Sequence, residues 1–224
     1  MILNILTLFP LVFQNFLAES IPFIAQQKKK LFVNLVNFRE FSTSKHLQVD
    51  DYPYGGGAGM VIKAEPLANA LDHILDMRER IPILYFTPQG RLLNQKIVRQ
   101  YLSIPELIII CGHYKEIDQR IRDKYVTEEI SIGDYVLSGG ELPAMVFIDA
   151  IARLLDGVLH DEESAQTDSH ETNMLGYPCY TRPAEFQGMT VPEVLISGHH
   201  QKIVEWRQQK SLEITRRVRP DLIK

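Results

Sequence analysis

Residues 106 to 111 read ELIIIC, five apolar side chains in a row behind one glutamate. A strand with one wet face alternates apolar and polar residues, so an unbroken run demands cover on both faces. Three other β-rich runs keep it company: MILNILTLF at the start, LFVNLVNF (31 to 38) and IPILYF (81 to 86). Helical patterns fall between and after them. AEPLANALDHILDMRER (64 to 80) has apolar residues at helical spacing, with Pro66 in the first turn, where proline is tolerated. NQKIVRQYLS (94 to 103) and the stretch after Ile117 read as shorter helices, and ELPAMVFIDAIARLLDG (141 to 157) as a strong one ending at Gly157. Strands alternating with helices predict an α/β layer structure with a mainly parallel sheet.

Regularity stops at residues 160 to 178, HDEESAQTDSHETNMLGYP, which are polar and aperiodic. Beyond them the chain reads as mostly helical and rich in Arg and Lys. The expected organisation is therefore a first domain over 1–159, a flexible linker or active-site loop over 160–175, and a small helical C-terminal domain over 176–224. Charge follows the same division. Between Thr127 and Glu171 there are eleven acidic residues and one basic residue, Arg153, whereas the last 24 residues hold seven Lys or Arg against three acids. A basic tail fits a polyanionic partner, and a solvated helix face accounts for it equally well. Two cysteines, Cys111 and Cys179, are too few for a disulfide framework and too isolated for zinc; with no run of about 18 apolar residues, they predict a cytoplasmic protein without a membrane span.

The densest glycine cluster is DDYPYGGGAGM, 50 to 60. A P-loop needs Lys and Ser or Thr after its last glycine, and Val61 and Ile62 stand there instead; a dinucleotide fingerprint needs a third glycine where Met60 sits. Both phosphate readings fail, leaving a structural turn or a loop that something approaches closely. Three further loops follow expected strand ends or precede the strong helix: YFTPQGR (85 to 91), CGHYKEID (111 to 118) and SIGDYVLSGGE (131 to 141). Ligands of open α/β sheets collect outside the carboxyl ends of strands, which favours a small-molecule pocket over three ordinary turns. Arg153 and Asp168 on pattern alone read as a surface cation and a solvated loop acid.

Together, ILTLFP, VDDYPYGGGAGMV, YFTPQGR, IIICGHYKEIDQR, SIGDYVLSGGELPAM, YTRPAEFQG, VPEVLISGHH and EWR resemble, in order and over nearly the whole chain, the bacterial tRNA (guanine-N1)-methyltransferase family, TrmD. The resemblance implies a SPOUT fold, an α/β domain with a deep trefoil knot, although general topology rules count true knots as rare. It implies a homodimer with active sites shared at the subunit interface, S-adenosyl-L-methionine as methyl donor, and N1 of guanosine 37 of tRNA, following another guanosine, as target. Matching motif to motif, the donor falls to Tyr85, Thr87, Pro88 and Gln89, to Gly112 and Tyr114, and to Ser131, Ile132, Gly133, Tyr135, Leu137, Gly139 and Gly140. Asp168 matches the general base and Arg153 the group facing guanine O6. On the tRNA side the resemblance implies Asp50, Tyr54, Gly55, Gly56, Gly57, Gly59, Ser164, Ser169, Arg182, His200 and Arg207.

Two places depart from the commoner family pattern. Lys115 stands where many members carry a glutamate, and Gln166 and Thr167 precede Ser169's loop where many have acids. Magnesium assistance is thereby placed in doubt, and no metal ligand is assigned. Two rivals remain within reach of the sequence: a ribose 2′-O-methyltransferase of the same fold, and a non-catalytic RNA-binding relative. The first lacks the PYGGGAGM and DS elements, and the second is expected to lose Asp168 or Arg153, both of which are present.

Overall fold

The computed structural model describes residues 1–76, 81–160 and 168–223. The chain divides into two compact units, Met1–His160 and Asp161–Lys224.

The first unit is built on a five-stranded parallel sheet. Its strands are β1 (Ile2–Thr7), β2 (Phe32–Asn37), β5 (Ile83–Leu92), β6 (Glu106–Ile110) and β8 (Glu128–Ser131), in the order β2-β1-β6-β5-β8. The ELIII run lies at the centre, as its double-sided apolarity demands. Period-two alternation sends Leu107, Ile109 and Cys111 into one core, with Leu3, Ile5, Leu84 and Phe86. Ile108 and Ile110 enter the other, with Leu6, Ile83 and Tyr85. The first core is closed by α1 (Gln14–Leu17), α2 (Ser20–Gln27), α4 (Gln95–Tyr101) and α6 (Glu141–Ala152), where Phe147 meets Phe86 and Tyr101 at ring distances of 6.0 and 5.3 Å. The second is closed by α3 (Ala64–Leu75) and α5 (Gln119–Tyr125) through Leu67, Leu71 and Ile121. A small sheet of β3 (Asp50–Asp51), β4 (Val61–Ile62) and β7 (Glu116–Ile117) lies alongside.

Polar residues inside the sheet are paired, as burial requires. Asn4 donates to Glu106 and accepts from Asn34, both at 2.9 Å, a polar rung across β2, β1 and β6. Thr7 Oγ1 donates to the buried carboxylate of Glu141 at 2.8 Å, tying the end of β1 to the start of α6.

Several elements differ from the sequence reading. Helix α3 stops at Leu75, where Asp76 takes a left-handed φ of 38°; residues 77–80 of the expected helix lie outside the described residues. Helix α6 stops at Ala152 and the chain continues in turns to Gly157. β5 runs six residues past Phe86 and is broken there: Phe86 and Arg91 both register with Ile130 of β8, so Thr87–Gly90 arch out of the sheet. Strand β8 and helix α2 were not anticipated. EEIS has only one large apolar residue, and its strand state comes from pairing with β5.

In the second unit the polar stretch from Asp168 to Pro178 forms turns, with no helix or strand among its residues. A two-stranded hairpin, Glu185–Phe186 with Met189–Thr190, turns through Gln187 and Gly188, both at positive φ as in a type I′ turn. A short helix, Glu193–Ile196, precedes a long one, His200–Val218. Among the described residues of this unit the buried ones are Ser211 and Thr215.

Candidate active site

Three loops at the carboxyl end of the sheet enclose one cleft. β5 and its arch contribute Tyr85, Phe86, Thr87 and Pro88; the segment from the end of β6 into β7 contributes Gly112 to Glu116; the end of β8 and the loop after it contribute Ser131 to Gly140 apart from Asp134. Sequence gaps of roughly twenty residues are closed by the parallel register of β8, β5 and β6, which brings the strand ends side by side. Of the thirteen residues matched to the donor, twelve line this cleft and Gln89 does not. Phe86, His113, Lys115, Glu116, Val136, Ser138 and Pro143 also line it; all sit inside or beside the quoted motifs, so a wider motif window finds them.

The cleft exists because side chains are missing from its seams. Gly140 donates its N–H to the Gly112 carbonyl at 2.8 Å, and a Cβ on Gly140 would lie 2.8 Å from Cys111 Cα. A Cβ on Gly112 would lie 2.7 Å from the Tyr85 hydroxyl. The second and third loops are thus packed backbone to backbone, reinforced by a bridge between His113 and Gly139. Tyr114, on the rim, holds a left-handed φ of 61°, strain of the kind that persists where surroundings over-determine a residue. His113 lies between the rings of Phe9 (5.0 Å) and Tyr114 (5.3 Å), and its Nδ1 is buried without a hydrogen-bond partner among the described residues.

Beneath the floor, the Tyr85 hydroxyl donates to Glu116 Oε1. Burial and then the neighbouring Glu116 charge push the Tyr85 phenol far above its ordinary range, so it stays a donor at neutral pH. Cys111, fully buried, is likewise raised well above the usual thiol range by burial and by Glu141.

The 131–140 loop has a second side. Ile132, Tyr135 and Leu137 also border an open depression with Phe16, Leu142, Val146, Asp149 and Arg153. Arg153 is the C-cap residue of α6, half-buried, one loop away from the first cleft. The glycine loop lies instead against the second loop of the first cleft. It joins β3 to β4, and Met60 accepts the Lys115 N–H at 3.0 Å, while a Cβ on Gly59 would meet the Lys115 side chain at 3.6 Å. Gly55, Gly56 and Gly57 face open space, and each is held at positive φ; Tyr54 beside them is fully exposed. Asp50 pairs with Ile62 across β3 and β4.

In the second unit Asp168 opens a tight turn in which Ser169 Oγ accepts the Gly176 N–H at 2.8 Å. The Leu175 N–H is anchored on Thr215 of the long helix at 2.9 Å. Arg182 and Arg207 line an opening with Tyr177, Tyr180, Leu195 and Ile203, and the Arg207 guanidinium lies 4.8 Å over the Tyr177 ring. His200 is the exposed first residue of the long helix. Of the basic tail, Lys210 and Arg219 are engaged by Glu213 and Asp221, each at 2.7 Å, so the tail offers less free charge than its composition suggests. Ser164 and Thr167 lie outside the described residues.

Comparison with known proteins agrees along the full length. The model of the family described as tRNA (Guanine-1)-methyltransferase TrmD matches residues 1–224. A tRNA (guanine-N(1)-)-methyltransferase of Anoxybacillus flavithermus is 52% identical over 222 residues, covering 99% of this chain and 91% of that protein. Those of Clostridioides difficile and Moorella thermoacetica are 49% and 52% identical, covering 99% and 98% of this chain and 96% and 89% of theirs. No described helix is long and apolar enough to cross a membrane. The chain belongs to the TrmD family, the tRNA (guanine-1)-methyltransferases.

Proposed function

We propose that this enzyme transfers the methyl group of S-adenosyl-L-methionine to N1 of guanosine 37 of tRNA, in the cytoplasm. The observation that carries the reading is the cleft at the strand ends: twelve residues scattered over 56 positions of sequence line one space, in a chain matched by the family from end to end. The residues present suit the donor. Seams closed by Gly112 and Gly140 leave backbone groups at the surface for a flat polar ring, and Ile132, Val136 and Leu137 supply apolar walls. The carboxyl half of the unit is read as the family's trefoil knot, a reading supported by the arch at Thr87–Gly90 and the seam between the second and third loops.

The bound donor supplies a sulfonium-activated methyl and its own leaving group. What remains for the protein is alignment, one base and one charge partner. N1 of guanine is protonated and a poor nucleophile; Asp168 takes that proton, and the charge that spreads to O6 meets the Arg153 guanidinium. The glycine loop forms the wall on the target-base side, with Tyr54 and the open face of Gly55 to Gly57 next to the base. Arg182, Arg207 and His200 track the tRNA backbone, Ser164 and Ser169 the target side. Lys115, which lines the cleft, would hold the donor carboxylate where many members carry a glutamate, taking the place of magnesium there.

A homodimer fits two features. Leu142 and Val146 on α6, Leu11 and Val12 in the turn packed against it, and Val136 are 48 to 89% exposed. The second unit also leaves Phe186, Met189, Ile196 and Val218 more than half exposed, with no described apolar residue fully buried, a surface that needs a partner.

The deciding experiment incubates purified protein with isotope-labelled donor and unmodified tRNA, then digests and maps the product by mass spectrometry. 1-Methylguanosine at position 37 is expected. A label on ribose, on another base, or on nothing sinks the reading and restores the corresponding rival.

A further inference from the structure

Arg122 lies in none of the loops that line the cleft, yet it is wired to all three segments that carry them. Helix α5 turns it inward until its side chain is 8% exposed. Its Nε and Nη2 donate to the two carboxylate oxygens of Glu129 on β8, at 2.8 and 2.7 Å. Nη2 also donates to Gln89 Oε1 in the arch at 2.9 Å, and Nη1 to Glu116 Oε2 on β7 at 3.3 Å. The guanidinium carbon is 5.7 Å from the centre of the Tyr85 ring. Glu116 spends its other oxygen on the Tyr85 hydroxyl. One planar cation therefore pins the arch, the strand following the second loop and the strand leading into the third. It also explains why Gln89 is turned away from the cleft it flanks.

We propose that Arg122 is the positioning residue of the methyl-donor site, holding the three loops at the separation the donor requires without touching it. This rests on the donor-cleft reading above. The chemistry needs arginine. A fork of donors satisfies Glu129 bidentately while the outer nitrogens reach Gln89 and Glu116; a lysine ammonium at one point cannot span them. Without the guanidinium, Glu129 loses the cation that pairs it and Glu116 keeps the Tyr85 hydroxyl and its neighbouring backbone, so two partly buried carboxylates repel across β7 and β8 while the arch loses its tie through Gln89.

The test uses full-length protein carrying Arg122→Lys, and a second variant, Arg122→Met with Glu129→Met, which removes the charge problem and keeps apolar volume. Calorimetry with S-adenosylmethionine, steady-state kinetics, tRNA binding and thermal melting are measured on each. In Arg122→Lys, loss of charge-assisted hydrogen bonds is expected to raise donor Kd and KM by about tenfold or more, with kcat at saturating donor and tRNA Kd within about twofold. In the double variant melting recovers toward wild type while donor affinity stays weak, a split that a purely structural role does not give. Donor Kd within twofold of wild type in either variant overturns the proposal, as does a joint loss of donor affinity, kcat and tRNA affinity in protein that melts normally. A Gly140→Val control separates the two levels: if it leaves donor affinity intact, the donor-cleft reading falls and this inference with it; if it abolishes binding while the Arg122 variants bind normally, only the inference falls.

Discussion

Gly90 ends the arch within β5, and a Cβ there would run into the backbone of Glu129 and Ile130. Backbone atoms of a paired strand cannot retreat, so Gly90→Ala is expected to cost about 1–3 kcal/mol of stability, measured by denaturant unfolding, as overpacking does. The residues of the glycine loop are glycines for another reason. Gly55 to Gly57 meet nothing, and what they supply is positive φ, which a side chain strains. The sequence showed glycines at both places and distinguished neither cause, since a clash and a φ angle are properties of folded neighbours. Asp168 carries a sharper expectation. Asp168→Asn removes the proposed base while keeping shape, so single-turnover methylation should fall by at least about 10²-fold with donor Kd unchanged; near-normal turnover excludes Asp168 as the base. At Lys115, EDTA should leave single-turnover rates within about twofold, and a strict Mg2+ requirement refutes the lysine–carboxylate contact.

Elements divide by what stabilises them. β1, β6 and the first half of β5 declare themselves through apolar alternation or runs, because each is covered on both faces. β8 does not: EEIS is a strand because Leu84, Tyr85 and Phe86 offer a ladder on one side. Helix α5, QRIRDKY, has Ile121 as its one buried apolar residue, and it is capped by Asp118, whose carboxylate accepts the Arg120 N–H and pairs with the Arg120 guanidinium at 2.7 Å. That hydrogen bonding holds the Asp118 carboxyl below its usual range. A depressed folded value means stabilisation present above the unfolded carboxylate range and lost as pH falls through the folded value. Asp118→Asn retains a capping oxygen and loses the charge. Wild type should therefore melt higher than the variant above about pH 5, and the gap should close as pH falls through the lowered Asp118 value.

At the scale of the molecule, function needs a polyanion to reach a chain whose net charge is −4. Attraction must come from local cations, and with Lys210 and Arg219 already engaged, Arg207 is the tail residue proposed to supply it. Arg207→Ala should weaken tRNA binding and lower the slope of log K against log salt by about one, with donor Kd unchanged; an unchanged slope removes Arg207 from the tRNA surface. The parallel α/β layers, the loops that carry the site and the family membership were all legible in the sequence, because burial periodicity and contiguous motifs are local properties of the chain. The arch at 87–90, strand β8, the glycine seam between Cys111 and Gly140, and Arg122's place beneath all three loops were decided only by tertiary structure. Each depends on atoms far apart in sequence brought within a few ångströms by strand register, and no local pattern encodes that distance.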